Sequence, residues 1–550
     1  MESITDTIWD VVICGTGLQQ SLLALALSRS KKNILHIDPN LYYGGAEAAL
    51  SLAEVDEWAA ARPDATSTRI EAPAGSASGP VLGRLSAYSI ALAPQVLHAR
   101  SALVNLLVSS RAFRQLEFLA VSSFFVFDSS SLVRIPATRE DVFATTAMPA
   151  RSKRQLMKFL KFVLAFEGDA EETDEASGRG AAPWKEHASQ PFGDYLASTF
   201  GLDDRLRDNI LALTLSLDGA SITVAEGLAR LHRHITSMGV FGAGFAAVYP
   251  KWGGCGEIVQ VACRAAAVGG ATYMLGSGIR SVKFPDDKTD KGDEQGQLVE
   301  VELTQDMTVK TKLLVRGSDD VDTAETPSTM AQEKPEQQQL SRLVAIVGSP
   351  LPFLFAPTVE GAPVAGGAVI ALPAGRPVLA AAAAPEHPIF VMAHSSDTGE
   401  CPPGQSVLHF TTLKTENSKA VLDQALDSIL STLGHETRNH SSSTASGDSN
   451  DINDSKDSKD SGDPAPVPCL YKLYYEQPRG EGDTPASTIS TARPEFRFSP
   501  PSVDLTMQDA PLDVVREAWR QVVGPDGADD AAYMVFEDRE EGLADDDEFE

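Results

Sequence analysis

Cysteine is scarce in this sequence. The 550 residues include only Cys14, Cys255, Cys263, Cys401 and Cys469, an odd number with no Cys-x-x-Cys pair. This usage argues against a disulfide framework and against a structural zinc site, and it favours a reducing compartment.

Positive charge is also in short supply, because 46 lysines and arginines face 76 aspartates and glutamates, for a formal net charge of −30. Nucleic-acid binding requires basic side chains that neutralise phosphates, so this class is excluded. Docking on anionic lipid through charge alone is equally disfavoured. The chain also has no apolar run long enough to span a bilayer and no signal-peptide pattern at its start. We therefore expect a soluble, cytosolic protein.

A hydrophobic content of 43% predicts a sizeable core, and polar segments interrupt it. Residues 167–183, 284–297 and 317–340 are rich in charged and small residues and predict loops. Residues 441–468 are of low complexity and predict disorder, since they cannot bury enough apolar area to offset their ordering entropy. The acidic tail 536–550 predicts a solvated segment.

The first patterned block resembles a dinucleotide-binding unit. Asp10–Cys14 predicts a buried strand, Leu18–Ser30 an apolar helix and Asn33–Ile37 a second strand. This is a βαβ unit of the length expected for such a fold. Further along, Ser101–Leu119 has a helical pattern, and residues 124–136 predict a hairpin around "DSSS".

A helical block follows. Arg151–Phe166 predicts a strongly amphipathic helix, and residues 190–236 predict helices throughout. From residue 241 the chain returns to glycine-rich turns, another helix and strands. We therefore predict an α/β domain with an inserted helical domain.

The turn after the first strand carries a degenerate nucleotide fingerprint. Gly15 and Gly17 are present, but Gln20 stands where the third glycine of Gly-x-Gly-x-x-Gly belongs. That glycine normally allows the helix to pack closely on the strand. Asp38 ends the second strand, where an acid would hold a ribose hydroxyl. These residues alone leave open both a working cofactor site and a scaffold that has lost its cofactor.

A second set of polar residues lies on the helix predicted after Gly256. At about 100° per residue, Glu257, Gln260 and Arg264 fall within a sector of roughly 60° on an otherwise apolar helix. Thr272 and Met274 then alternate on a predicted strand and share one of its faces. Such a mixed patch suits a protein partner, although an ordinary solvated helix face explains the pattern equally well.

Seven motifs in order carry a family resemblance: "CGTGLQQSLLALALSRS", "LHIDPNLYYGG", "YSIALAPQVL", "IPATREDVF", "KRQLMKFLKF", "GEIVQVACR" and "GGATYML". Together they resemble the Rab escort protein and Rab GDP-dissociation inhibitor family over residues 8–283. The resemblance implies an α/β flavoprotein-like domain of the FAD/NAD-binding Rossmann type, without cofactor, at 1–144 and 239–550. It implies an inserted helical domain at 145–238.

The resemblance also implies sites. The Rab-binding platform of the family falls on Tyr43, Glu257, Gln260, Arg264, Thr272 and Met274. The helical domain of the family holds a geranylgeranyl chain, for which the apolar candidates are Leu156, Phe159, Leu160, Val163, Leu211 and Leu215. Phe241 and Phe245 are candidates for contact with the prenyltransferase. No catalytic residue, metal or cofactor is expected.

The resemblance implies a non-enzymatic escort protein. It would bind GDP-bound Rab GTPase, present it to the α/β heterodimer of Rab geranylgeranyltransferase, and deliver the prenylated product to membranes transiently. Chain length, "IPATREDVF" and "ALSRSKKNILHID" favour an escort protein over the alternative, a recycling GDP-dissociation inhibitor. A second alternative is a FAD-dependent oxidoreductase that uses Gly15, Gly17 and Asp38. One motif departs from the family: "VYPKWGGCGE" replaces the usual Pro-Leu-Tyr-Gly turn, so the platform geometry is expected to differ there.

Overall fold

The computed structural model describes most of the chain. The described residues are 4–70, 80–128, 131–144, 148–166, 184–285, 298–317, 338–357, 361–377, 384–444, 466–480, 493–524 and 529–537. The predicted loop at 167–183 lies outside them, as does most of each of the segments 284–297, 317–340, 441–468 and 536–550.

The strands are β1 (Ile8–Cys14), β2 (Ile34–Asp38), β3 (Ala49–Leu50), β4 (Thr66–Arg69), β5 (Ile90–Ala91), β6 (Leu97–His98), β7 (Phe118–Asp128), β8 (Ser131–Arg134), β9 (Ala247–Pro250), β10 (Thr272–Leu275), β11 (Ile279–Lys283), β12 (Val299–Leu303), β13 (Thr308–Gly317), β14 (Gln339–Val347), β15 (Gly367–Leu372), β16 (Ile389–Ser395), β17 (Ser406–Leu413), β18 (Cys469–Pro478) and β19 (Glu495–Phe498). The α-helices are α1 (Leu18–Leu27), α2 (Leu52–Ala60), α3 (Ala102–Ser109), α4 (Arg139–Ala144), α5 (Ala150–Leu164), α6 (Phe192–Phe200), α7 (Asp204–Thr214), α8 (Val224–Ser237), α9 (Cys255–Val268), α10 (Ser418–Thr444) and α11 (Ala510–Val523).

A first sheet, called here the parallel sheet, has the strand order β10-β2-β1-β13-β12-β11. Strands β10, β2, β1 and β13 run parallel, and β19 adds in parallel to the second half of β13. Helices α1, α9 and α11 cover one face, where their apolar side chains form a single buried cluster with β1 and β2. The predicted βαβ unit and the α/β fold are therefore confirmed.

A second sheet, called here the large sheet, has the order β4-β18-β14-β17-β16-β15-β7-β9-β6, with β8 paired to β7. The β7–β8 pair is the hairpin predicted from residues 124–136. Helix α10 packs its buried leucines against one face of this sheet. Continuous apolar runs such as "IFVMA" in β16 fit a sheet buried on both faces.

One predicted helix is too long. The Ser101–Leu119 pattern predicts helix throughout, but α3 ends at Ser109. Arg111 adopts a left-handed conformation with φ +60°, which a continuing helix cannot accommodate. Phe118 and Leu119 then belong to β7, where a parallel neighbour and an antiparallel neighbour hold the strand in the sheet interior.

Helices α5 to α8 form a separate helical unit with its own core. Its buried side chains include Phe159, Phe192, Leu196 and Leu228. This placement matches the amphipathic pattern of Arg151–Phe166, because α5 turns its apolar stripe inward and its basic side chains outward. Among the described residues, no helix combines the length and apolarity needed to cross a membrane.

Candidate functional site

Helix α9 carries the predicted polar stripe at the protein surface. Ile258, Val261 and Ala262 are buried against the parallel sheet. Glu257 and Gln260 are half-buried on the opposite side, and Arg264 is exposed. Glu257, Gln260 and Arg264 are called the α9 stripe below. The helical period therefore places them as the sequence predicted, on one outward face.

The polar side chains of the α9 stripe have donors and acceptors that remain available for hydrogen bonds. Within the described part of the chain, the side chains of Glu257, Gln260 and Arg264 make no hydrogen bond and no ion pair. Burial raises the pKa of the Glu257 carboxyl above its ordinary value, and the Arg264 guanidinium acts in the opposite sense. A half-buried carboxylate without a partner gains from a cation that a binding protein brings to it.

Tyr43 lies beside this helix. Gly44 and Gly45 follow it with φ of +102° and +52°, values in the left-handed region that favours glycine. The ring of Tyr43 stands edge-on to that of Tyr273, with centroids 6.1 Å apart. Burial raises the pKa of the Tyr43 hydroxyl, and the Cys263 thiol of α9 adds to the effect. Tyr43 is therefore half-buried between the turn and α9 rather than fully packed.

Thr272 and Met274 lie on the other face of the parallel sheet. In register, they oppose Leu35 and Ile37 of β2, and Met274 packs with those residues away from the helices. Only Tyr273, between them, points toward α9. The sequence predicts a mixed patch on one surface, and the structure differs. Among the described strands β10 lies at the edge, so a surface that includes both sets must wrap around that edge.

The degenerate fingerprint is filled by the chain's own side chains. Gly15 has φ +87°, and Gly17 caps α1 with extended backbone. A Cβ on Gly17 would lie 3.0 Å from the Gln20 amide oxygen, so Gln20 folds back over the turn. The Asp38 carboxylate accepts hydrogen bonds from the backbone and hydroxyl of Thr16 at 2.7 and 2.6 Å and from the Asn40 backbone at 2.7 Å. Asp38 thus holds the turn itself.

Glu47 occupies the anion site at the start of α1. Its carboxylate accepts the Leu18 N–H at 2.7 Å, and the Cys255 thiol lies 3.7 Å from its second oxygen. In dinucleotide-binding proteins this position holds a pyrophosphate, because helix N-termini attract anions. Burial raises the pKa of Glu47 to about 7. The adjoining cavity, about 380 Å³, is lined by the same turn. These residues do not fit a bound dinucleotide.

A larger, mostly apolar cavity of about 720 Å³ lies between the helical unit and the large sheet. Its lining includes Phe124 of β7, Met157 and Leu160 of α5, and His234 and Ile235 of α8. Sequence reasoning missed this cavity, because residues far apart in the chain form it and the apolar period of one helix does not reveal it.

Most predicted lipid-contacting residues lie elsewhere. Leu156, Phe159 and Val163 are buried in the core of the helical unit, and Leu215 is buried beneath the large sheet. Leu211 is half-buried against the helical core, so Leu160 alone of the six lines the cavity. Three members of the i, i+3, i+4, i+7 stripe pack into the helical core, whereas Leu160, the i+4 member, lies at its margin beside the cavity.

The two predicted transferase contacts also differ. Phe241 is 50% exposed, whereas Phe245 is buried and lines the 720 Å³ cavity. Phe245 is therefore not accessible to a partner at the surface, which corrects that expectation. The chain enters β9 at Ala247, and Ala246 and Ala247 next to Phe245 are buried as well.

One buried polar cluster went unnoticed in the sequence because its members are widely spaced. Glu400 accepts hydrogen bonds from the Tyr249 hydroxyl at 2.6 Å, and its other oxygen lies 2.8 Å from His394 Nδ1 and 3.1 Å from His409 Nε2. Among the described residues, His394, Glu400 and His409 are the group whose types and spacing could hold a metal. Their mutual hydrogen bonds already satisfy the buried carboxylate, and the histidines keep the Glu400 pKa low.

Comparison with known proteins agrees with this architecture. A family profile described as GDP dissociation inhibitor matches residues 5–352. The Rab proteins geranylgeranyltransferase component A of Saccharomyces cerevisiae is 31% identical over 347 residues, 62% of this chain and 52% of that protein. The protein of the same name from Candida albicans is 26% identical over 452 residues, 80% of this chain and 65% of that protein. The chain thus spans between half and two thirds of the length of these relatives.

A crystal structure of a Rab GDI from Plasmodium falciparum covers 94% of this chain and 98% of its own, with a TM-score of 0.59 and 16% identity. This likeness concerns the fold. The fold and the surface define an α/β scaffold with a helical unit beside it, and its own Gln20 and Glu47 side chains occupy the nucleotide turn. The chain belongs to the GDP dissociation inhibitor family.

Proposed function

We propose that this protein is a Rab escort protein that acts without catalysing a reaction itself. It binds GDP-bound Rab GTPase, presents it to the Rab geranylgeranyltransferase heterodimer for prenylation of its C-terminal cysteines, and carries the product from the cytosol to membranes. The observation that carries the proposal is the α9 stripe with Tyr43 beside it, a set of polar groups at the surface without partners in the described chain.

The chemistry of the stripe suits a protein partner. Arg264 is exposed and offers a planar set of donors that matches a carboxylate. Glu257 is half-buried, so a cation from the partner relieves its unfavourable burial. Tyr43 presents an aromatic body with a polar tip, a combination enriched at interface centres. Charge-assisted bonds at both ends of the stripe fix the orientation of the GTPase.

The 720 Å³ cavity supports the second half of the proposal. Its volume lies within the range of about 300–1,000 Å³ typical of ligand pockets. Each CH₂ of a geranylgeranyl group costs about 0.8 kcal/mol in water, so a carrier must shield the chain. The cavity, rather than the core residues of the helical unit, is the place where we put the lipid.

A recycling inhibitor is the second candidate, favoured by the description of the matching family. Both proteins bind the same GTPase, but only an escort protein supports prenylation. The relatives named as component A of the transferase favour the escort reading.

The test is geranylgeranylation of an unprenylated, GDP-loaded Rab by purified transferase, with and without this protein. We expect product only with the protein present, and a loss of at least tenfold in rate at subsaturating protein for Arg264→Ala. Lys310→Ala, an exposed cation on β13, is the matched control and is expected to behave as the parent. Extraction of prenylated Rab from membranes without support of prenylation would instead identify a recycling inhibitor.

A further inference from the structure

An exposed tryptophan occupies the turn that precedes α9. This turn, Lys251 to Gly254, is the stretch in which the sequence departs from the family motif. The side chain of Trp252 is 47% exposed, whereas Trp9, Trp184 and Trp519 are at most 7% exposed. Trp252 is therefore the most exposed of the five tryptophans, and its ring is available to a partner.

The backbone of Trp252 is held in an uncommon conformation. Its φ of +72° lies in the left-handed region, which bulky residues rarely adopt. The Trp252 N–H donates to the Thr398 carbonyl at 2.8 Å, and its own carbonyl accepts from the Ser89 hydroxyl at 2.8 Å. The surrounding structure therefore fixes this residue from both sides.

The Trp252 ring packs against the protein on one side only. A Cβ on Gly399 would lie 2.3 Å from the Trp252 ring, so the ring lies directly on a glycine. The Lys251 ammonium lies 4.7 Å from the ring centroid and also pairs with Glu117 at 3.0 Å. One part of the ring is thus supported by the protein, and the rest faces outward.

The loop under the ring is held in place by the buried cluster around Glu400. Gly399 precedes Glu400, the carboxylate that accepts from Tyr249 and lies against His394 and His409. Tyr249 is the third residue of β9, which ends at Pro250 immediately before the turn. The Glu400 cluster therefore connects two segments to the large sheet. These are the turn before α9 and the loop that lies under the Trp252 ring.

The backbone of the turn from Lys251 to Gly254 is also tightly constrained. The Gly254 N–H donates to the Pro250 carbonyl at 3.1 Å, which closes the turn around Trp252. A Cβ on Gly253 would lie 2.2 Å from that of Ala49. Glu257 follows Trp252 by five positions, so their Cα atoms are no more than about 18 Å apart. This separation is smaller than the width, roughly 30 Å, of a standard interface of about 800 Å² per partner.

We propose that Trp252 is a further contact residue for the GTPase, and that the Glu400 cluster positions it. The inference rests on the proposed function and extends the platform beyond the N-terminal end of α9. Tryptophan is enriched among the residues that dominate binding energy, and a pre-positioned ring loses little conformational freedom on binding. The partner is the same GDP-bound Rab that binds the α9 stripe.

The test measures the dissociation constant for unprenylated, GDP-loaded Rab by isothermal titration calorimetry. We expect Trp252→Ala to raise the dissociation constant at least tenfold and Trp252→Phe to raise it less. Val364→Ala, which trims an exposed apolar side chain elsewhere, is the control and is expected to change it less than twofold. If the parent protein does not bind, the proposed function fails together with this inference. If the parent binds and Trp252→Ala binds equally well, this inference alone fails.

A second measurement follows binding on the parent protein, and the Trp252→Phe variant serves only to assign the signal. The chain is labelled with 5-fluorotryptophan, and the Trp252 signal is assigned among the five tryptophans by its absence in Trp252→Phe. We expect unlabelled GDP-loaded Rab to shift or broaden the fluorine signal of Trp252 and to leave the signals of Trp9, Trp184 and Trp519 unchanged. An unmoved Trp252 signal under saturating Rab would overturn the proposal.

Discussion

The Glu47 carboxylate gives the protein a pH dependence that a single substitution removes. Its pKa rises from 4.5 in the unfolded chain to about 7 in the fold, because burial disfavours the ionised form. The folded state therefore holds this proton more tightly, and stability falls as pH rises from about 4.5 to about 7. At about 1.4 kcal/mol per pH unit, the loss from this group approaches about 3 kcal/mol.

Glu47→Gln keeps an oxygen for the Leu18 N–H and abolishes the titration. We expect the difference in thermal midpoint, variant minus parent, to increase between pH 5 and pH 8 in favour of the variant. An unfolding entropy of about 2.1 cal/mol/K per residue gives about 1 °C per kcal/mol for a chain of 550 residues, so we expect a change of about 3 °C. Glu57→Gln, which removes an exposed carboxylate on α2, is the control and is expected to give a flat difference.

Taking the difference at each pH cancels the other titrating groups common to both proteins. A difference for Glu47→Gln that is as flat as that of Glu57→Gln would contradict this prediction. It would mean that the Glu47 carboxylate is solvated or paired in solution, and that the anion site at the start of α1 is open to a phosphate.

Three further predictions follow from other parts of the structure. Leu160→Arg places a charge in the 720 Å³ cavity. We therefore expect at least tenfold weaker binding of prenylated Rab and unchanged binding of unprenylated Rab. Equal weakening of both would mean that the lipid binds elsewhere. Burial lowers the pKa of His36 to about 4, so the stability that its neutral ring contributes is complete above pH 6.5 and is lost as pH falls toward 4. We expect the thermal midpoint of His36→Phe to fall less over that pH range than the midpoint of the parent. Parallel curves for the two proteins would contradict this. Gly253→Ala forces a Cβ to within 2.2 Å of that of Ala49, so we expect a loss of about 2 kcal/mol or more by calorimetry, and an unchanged midpoint would show that the turn yields.

The sequence predicts much of the parallel sheet, because its signals are local. A buried strand, a turn with two glycines and an apolar helix within 30 residues are enough to predict β1, α1 and β2. The α9 stripe is similarly local, since the helical period alone brings Glu257, Gln260 and Arg264 together. The alternation of Thr272 and Met274 is equally clear, but alternation cannot tell which face of the sheet they occupy.

The features that sequence reasoning missed depend on contacts across the chain. Glu47 was the one acid in a stretch of small and apolar residues, a signal that could have drawn attention to it. Its role follows only from the structure, in which the Leu18 N–H donates a hydrogen bond to the Glu47 carboxylate. The Glu400 cluster joins β9, β16 and β17 with the loop between the last two, and no local pattern predicts which strands become neighbours.

Glu47 and Gln20 together fill the turn at which a dinucleotide-binding fold holds its phosphates. The N-terminus of α1 keeps its attraction for an anion, so removing a phosphate without replacement would leave buried N–H groups unsatisfied. A carboxylate from the same chain satisfies them at the cost of a raised pKa. The same carboxylate lies 3.7 Å from Cys255, the first residue of α9. The carboxylate that occupies the nucleotide turn therefore also contacts the first residue of the helix that carries the α9 stripe, and this contact helps to position the stripe.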